Sequence, residues 1–373
     1  MRALGILLAL GFVTFLCSSG ALAVDGVNEI NHTSIVAAGG YPYSIAAKGS
    51  YRLTGDLTPP GGTPALVAGA DNIEIDLNGF TIVSPGGGAV NGIDSAGFSG
   101  LVVRNGVVHG FGGAGIVAGS DSKVIETKLT GNGSGISGAS NCLIVMNTIA
   151  GNTSNGVSSA SVCKIENNAI AGNSGAGISG SGNVIANNRI GGNGGGGILE
   201  FGGSTIQQNE LDGNVGFGIS DGAPPGPAPV PPPPAPPRTN ITGNTISATA
   251  PGGAVGGRGI SFLLPVSVTN NVISGSFANG VFCGAGCLVN GNSVNQNNTG
   301  GVAGAGGVNV AAGSTVSGNS ISYNTGFGLT LPAPATASYT NNTIVGNAPG
   351  PNVISPPTIT GGFGNVCAPA ACP

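Results

Sequence analysis

The chain has 373 residues, a formal net charge of −4, 73 glycines, no tryptophan and only 6% charged side chains. With no basic stripe it is not a nucleic-acid binder, and its regular Ile, Val and Leu supply apolar surface that disordered Gly-rich linkers lack. Length alone would suggest two domains, but a fixed internal period overrides that count, because solenoids grow by adding repeats.

The chain opens "MRALGILLALGFVTFLCSSGALA", one Arg, an apolar run, then Ala21-Leu22-Ala23. That pattern predicts a signal peptide over residues 1–23, cleaved after Ala23, and hence a secreted or cell-surface protein. The apolar run is short for a membrane span and is interrupted by Ser18, Ser19 and Gly20. A lipoprotein cleavage site at Cys17 would need a small residue where Leu16 stands. No later segment is apolar enough for a transmembrane helix. Residues 24–70 are expected to form an N-terminal cap and the first strands.

From residue 71 to 347 a repeat dominates. In "NNAIAGNSGAGISGSGNVIANNRIGGNGGGGI", residues 167–198, Asn168 returns as Asn188, Ile170 as Ile190, Asn173 as Asn193, and Gly177-Ile178 as Gly197-Ile198. The same phase runs through Asn78, Asn105, Thr127, Asn147, Asn168, Asn188, Asn209, Asn244, Asn271, Asn292, Asn319 and Asn342, which makes about 12 rungs. A second landmark, Gly followed by Ile, Val or Leu, runs from Gly135-Ile136 to Gly328-Leu329 and includes Gly301-Val302. Each repeat reads as three short strands separated by turns, since units such as "CKIENN" alternate apolar and polar residues. The period is too short for a βαβ unit, and no window carries helical spacing.

A coil of constant circumference stacks on its neighbour at ~4.8 Å, so equal phases become vertical columns, and twelve coils make a rod of roughly 55–60 Å. Ile and Val columns fill the interior. Asn columns at the turns are expected to hydrogen-bond up the stack, satisfying polar groups that the turns would otherwise leave unpaired. Asn also tolerates the left-handed backbone of a sharp corner.

Two insertions interrupt the period: the polyproline run "PPGPAPVPPPPAPP" within residues 223–237, a stiff solvent loop and a candidate ligand for a partner, and a second over about 248–257. A tail over 348–373 carries a Cys pair. Cys367 with Cys372, and Cys283 with Cys287, are close enough in sequence to close small disulfide loops. Cys142 and Cys163 share a phase one rung apart, and their spacing admits either a disulfide or stacked thiols. No His accompanies any Cys, so no metal site is expected.

These columns resemble the right-handed parallel β-helix repeat proteins of the pectin-lyase-like superfamily, over about residues 50–340. "GSYRLTGDL…ADNIEIDLNGFTIV" looks like the opening segment of secreted members of that group, and "GNVCAPAACP" like their Cys-containing end. The resemblance implies an all-β, single-stranded right-handed parallel β-helix with an N-terminal cap, and a polysaccharide or cell-surface glycan as partner along one strand face. Resemblance to the polygalacturonases would also bring acidic residues just before the landmark Gly, where this chain has none, and a His-Gly on that strand, whereas His109-Gly110 lies elsewhere.

One constellation remains. Glu200 and Asp221 each follow the Gly-Ile landmark by three residues, which places them on adjacent rungs about 5 Å apart. Carboxylates that close share a proton or a cation such as calcium, or act as acid and nucleophile. Arg258, just before Gly259, is placed to pair with them or with an acidic sugar, and Phe201 and Phe282 to add a stacking surface. Both insertions flank this strand, as walls of a cleft. The alternative reading makes Glu200 and Asp221 solvated turn residues with Arg258 offsetting their charge. Three functions follow: a non-catalytic β-helix contacting carbohydrate, a polysaccharide lyase or hydrolase using Glu200, Asp221 and Arg258, or a structural rod.

Overall fold

The computed structural model describes residues 26–222, 238–252, 256–331, 337–350, 352–354, 363–369 and 372. The expected signal peptide (1–23) and the polyproline run (223–237) lie outside the described residues.

One turn of chain shows how the whole is built. The strand Lys164–Glu166 ends at left-handed Asn167 (φ 57), and inward-pointing Asn168 turns the corner into Ala169–Ala171. Left-handed Gly172 (φ 62) and Asn173 turn the second corner, and a short loop leads to Ile178–Gly180. Gly182 (φ 64) and Asn183 turn the third, after which Val184–Ala186 lies parallel on Lys164–Glu166, Val184 beside Lys164. Most strands are short because each corner consumes one residue in the left-handed region and one whose side chain points inward.

Repetition of this turn gives a right-handed parallel β-solenoid with three strand rows. The first two rows merge across the Asn corner into a 25-stranded sheet, and the third forms a 14-stranded sheet. Ile165, Ile170 and Ile178 are fully buried and sit beside Ile185, Ile190 and Ile198 of the next turn. Each such side chain contributes roughly 1.5–3 kcal/mol by leaving water. The Gly of the Gly-Ile landmark faces inward too: a Cβ on Gly177 would lie 2.7 Å from Ile190 Cγ2 and 2.8 Å from Gly197 O.

The Asn column is a continuous ladder from Thr127 to Asn365. At each step one Oδ1 accepts from both the backbone N–H and the side chain of the turn before, a hydroxyl at Thr127 and an amide thereafter. Asn168 thus donates to Asn188 Oδ1 from N at 3.0 Å and from Nδ2 at 2.9 Å, while its Nδ2 also reaches Ile144 O at 2.9 Å. The ladder crosses the polyproline insertion unbroken, Asn209 to Asn244, and ends on Asn365, one step beyond the sequence-based column. A second ladder, Asn132, Asn152, Asn173, Asn193 and Asn214, lines the next corner and resumes at Asn297.

The structure departs from the sequence-based columns in four places. Asn78 (φ 51) and Asn105 (φ 60) are exposed and occupy the left-handed position before the ladder, not the ladder itself. Conversely, the ladder asparagines have ordinary φ, and their predecessors, such as Asn167 and Asn187, take the strain. Gly301-Val302 lies in a loop; Gly307-Val308 holds the landmark position, with Val308 beside Val281. The 14 strands of the third row exceed 12 rungs because Tyr43–Ile45 and Leu66–Ala68, which precede Asn78, add two strands without an Asn marker.

All three cysteine pairs are disulfides: Cys142–Cys163, Cys283–Cys287 and Cys367–Cys372. The first staples neighbouring turns at the third corner, and the set fits an oxidising compartment. Among the described residues no helix is long and apolar enough to cross a membrane.

Candidate functional site

The third row carries one file of positions on the strand face opposite the core; most are half-buried, while Ser220 (0% exposed) and Ser261 (3%) are closed to solvent. In register along the rod these are Asp94, Val117, Ser137, Ser158, Ser179, Leu199, Ser220, Ser261, Phe282 and Asn309. Depressions open at both ends of the file. Toward the N-terminus, one of about 600 Å³ is lined by Asp71, Phe98, Val117 and Ser137, and one of about 500 Å³ by Asn91, Val117, Ser134 and Ser137. Toward the C-terminus, one of about 210 Å³ is lined by Arg258, Asn279, Phe282 and Asn309. A further depression of about 460 Å³ lies on the second row, around Arg189, Glu210 and Asp212.

Glu200 closes the strand Ile198–Glu200 with its side chain turned inward, 0% exposed. The reason is local: Ile198 faces the core, and two residues further along a strand the side chain faces the same way. Its Oε1 accepts from Asn183 Nδ2 at 2.7 Å, and its Oε2 pairs with Ser204 Oγ. Asn183 and Ser204 are themselves third-corner residues of successive turns. Burial pushes the Glu200 carboxyl up to about 7, against the lowering effect of Ser204 and Asn183. Glu200 is therefore neither a solvated turn residue nor open to a ligand on the outer face.

Asp221 is 5% exposed and caps the following turn, its Oδ2 accepting from the backbone N–H of Leu263 at 2.7 Å and of Leu264 at 3.2 Å. Arg258 stands at the opposite end of the row. It pairs with Phe217 at the strand start, whereas Ser220 pairs with Ser261, so Asp221 is level with Phe262. Four residues of strand, about 13 Å, separate the two positions along the row. The structure thus does not gather Glu200, Asp221 and Arg258 into one cluster.

It does bring Arg258 and Phe282 together on the outer face. The guanidinium carbon lies 3.9 Å from the Phe282 ring centroid, and Nη1 donates to Ser261 Oγ at 3.3 Å. Burial lowers the Arg258 pKa from its ordinary value, though a guanidinium stays charged. Alternation fails to place Arg258 inward because both Gly259 and Ile260 face the core, which shifts the phase at the strand start. Phe201 is 57% exposed beside Leu199, away from this pair.

Several other charges are engaged elsewhere. Arg104 bridges Glu74 and Asp76, each at 3.0 Å, and Arg189 faces Glu210 at 3.9 Å in an exposed pair. Asp94 accepts from Asn91 Nδ2 and Ala96 N, and His109 Nδ1 meets Thr130 O at 2.8 Å. Among the described residues no three His, Cys, Asp or Glu side chains converge as a metal-ligand set.

The family description "Right handed beta helix region" matches residues 91–223. No curated protein sequence matches the chain. Among solved structures, the A-modules of the Azotobacter vinelandii mannuronan C-5 epimerases AlgE6 and AlgE4 align with TM-scores of 0.57 and 0.56, at 17% and 16% identity. The alignments cover 91% and 88% of this chain and 94% and 93% of those modules. The likeness establishes a shared fold, the right-handed parallel β-helix.

Proposed function

We propose that this right-handed parallel β-helix binds a polysaccharide lengthwise along the outer file of its third strand row. The observation that carries the reading is that three of the four depressions described open on that single file, at Val117 and Ser137 toward one end and Phe282 and Asn309 toward the other. A linear polymer suits a surface with one repeat along one direction. The short hydroxyls of Ser137, Ser158 and Ser179 can both donate to and accept from sugar hydroxyls without blocking the approach of the chain. The loops at the row's edges supply walls, as binding surfaces on rigid scaffolds commonly have. Affinity electrophoresis of the full chain against a panel of acidic and neutral polysaccharides tests this. Retardation by at least one polymer is expected, and Ser137→Arg and Ser179→Arg, which plant a bulky cation in the file, should reduce it about tenfold or more for a neutral polymer. Unretarded migration across the panel would refute the reading.

A second reading, a polysaccharide-modifying enzyme, is favoured by the near-complete coverage of the two epimerase modules, which are named for action on mannuronan. Such chemistry needs an acid or base touching the sugar. Of the residues expected from sequence, Glu200 lies inside the coil and Asp221 is held by backbone N–H groups, which leaves Arg258 alone on the outer face. Incubation with the retained polymer, followed by proton NMR of the product and assays for new reducing ends and ultraviolet-absorbing unsaturation, distinguishes modification from binding.

A further inference from the structure

From Thr239 to Pro373 the sequence holds one charged side chain, Arg258; every Asp and Glu lies at or before Asp221. The C-terminal third of the rod is therefore electrically bare except at one point, and that point reaches the outer file, where the Arg258 guanidinium stacks on Phe282. We propose that the depression around Arg258 is an anion-recognition subsite, which takes a carboxylate borne by a sugar ring and selects acidic over neutral polysaccharide; this deepens the polysaccharide-binding reading and rests on it.

Three features of the geometry support the assignment. First, the guanidinium is held and not free to swing: it stacks on Phe282 at 3.9 Å and donates to Ser261 Oγ at 3.3 Å. Stacking leaves the in-plane N–H groups available, and those are the groups that bind a carboxylate edge-on, with two parallel hydrogen bonds. Second, no acidic residue lines the depression; Asn279, Asn309 and the loop Val302–Ala305 complete it. None of the ion pairs among the described residues involves Arg258. Third, an isolated charge in a neutral surround suffers no local competition, so its attraction for an anion is set by desolvation and salt alone. A structural role for Arg258 would instead call for a carboxylate partner across the turns, and Asp221, on the adjacent turn, is directed to the backbone of Leu263 and Leu264 some distance along the row. The 210 Å³ volume suits a single monosaccharide unit with its substituent, not a longer oligomer, so the remainder of the polymer would lie on the serine file.

The test uses one polymer in two charge states: a polyuronate, and the same polyuronate after chemical reduction of its carboxyl groups to neutral hydroxymethyls. The wild-type full chain should bind the acidic form at least tenfold more tightly than the reduced form, with the difference shrinking as sodium chloride rises from 20 to 300 mM, values chosen to span the screening range. Arg258→Gln should lose that preference and bind both forms as the wild type binds the reduced one. Arg258→Lys should recover part of the charge effect but not the bidentate contact. Circular dichroism and the melting temperature of each variant establish that the coil is intact; a variant that fails to fold is replaced by Phe282→Leu, which removes the ring beneath the guanidinium while keeping its charge, and which should weaken acidic binding selectively. Equal binding of both polymer forms by the wild type overturns the anion subsite while leaving the polysaccharide reading in place. Retention of acidic preference in Arg258→Gln also overturns it. Binding of neither form, or of any other polymer, refutes the underlying reading itself.

Discussion

Replacing Glu200 by Gln should make the protein more stable above neutral pH, and the size of the effect follows from the structure. The Glu200 carboxyl is fully buried among Asn183, Ser204, Ile198 and the neighbouring turns, and no Lys, Arg or His lies on the strands packed against it, Ile178–Gly180, Val184–Ala186, Thr205–Gln207 and Phe217–Ser220. The nearest charged neighbour in sequence register is Asp221, of the same sign. The Glu200 pKa rises from 4.5 to about 7, and at 1.36 kcal/mol per unit this is a stability term of roughly 3 kcal/mol. The sign follows from the raised value: the folded state holds the proton more tightly than the unfolded state. The stabilising term is present in full below about pH 4.5, is lost progressively as pH rises, and is gone above about 7. Gln keeps an oxygen for Asn183 Nδ2 and offers an N–H to Ser204 Oγ, so it mimics the protonated carboxyl at every pH. With an unfolding entropy of about 2.1 cal/mol/K per residue, 3 kcal/mol in a chain this long corresponds to roughly 4–5 °C. Melting temperatures of wild type and Glu200→Gln should coincide within a degree or two near pH 4.5 and separate by about that amount at pH 8, with the variant higher. A constant difference across the pH range, or a wild-type curve that does not fall away from the variant's, would refute the argument.

Other outcomes follow from the ladders. Asn209→Ala leaves the Asn188 backbone N–H and side-chain amide without their acceptor and should cost about 3 kcal/mol, read as a lowered melting midpoint and as loss of amide-exchange protection centred on residues 188 and 209. Ser276 occupies a second-ladder position between Thr249 and Asn297, and its Oγ is buried with no partner; Ser276→Asn, whose side-chain amide would reach Asn297 Oδ1, should raise stability by about 1 kcal/mol in denaturant titration. Millimolar calcium should leave the melting temperature unchanged, because Glu200 and Asp221 are committed to protein donors on separate turns; a rise of several degrees would show a cation site that this geometry does not contain.

Much of the fold was legible in the sequence because it is written as a period. Ile178 above Ile198 and Asn168 above Asn188 are consequences of equal chain length per turn, and any three-strand coil with inward Ile and corner Asn returns them to the same phase. What failed was the assignment within a turn. Asn78 and Asn105 share the spacing of the ladder residues but take left-handed positions outside it, since spacing alone does not say which of two successive residues turns inward: Gly106, not Asn105, is level with Thr127. Gly301-Val302 shows the same limit, because a loop of six residues can precede the real landmark, Gly307-Val308.

The candidate site was less legible for a sharper reason. Counting three residues beyond the Gly-Ile landmark put Glu200 and Asp221 on adjacent turns, which is where they are, but strand alternation from Ile198 already turned the Glu200 side chain inward, away from any cleft. Arg258 shared their strand row yet lay at its other end. Linear order thus determined the coil, its columns and the register of neighbouring turns, all of which depend on local geometry repeated many times. Only the tertiary structure decided which face of each strand meets water and which side chains from different turns touch, as Arg258 does Phe282, because those depend on the corner phase and on loops whose lengths break the period.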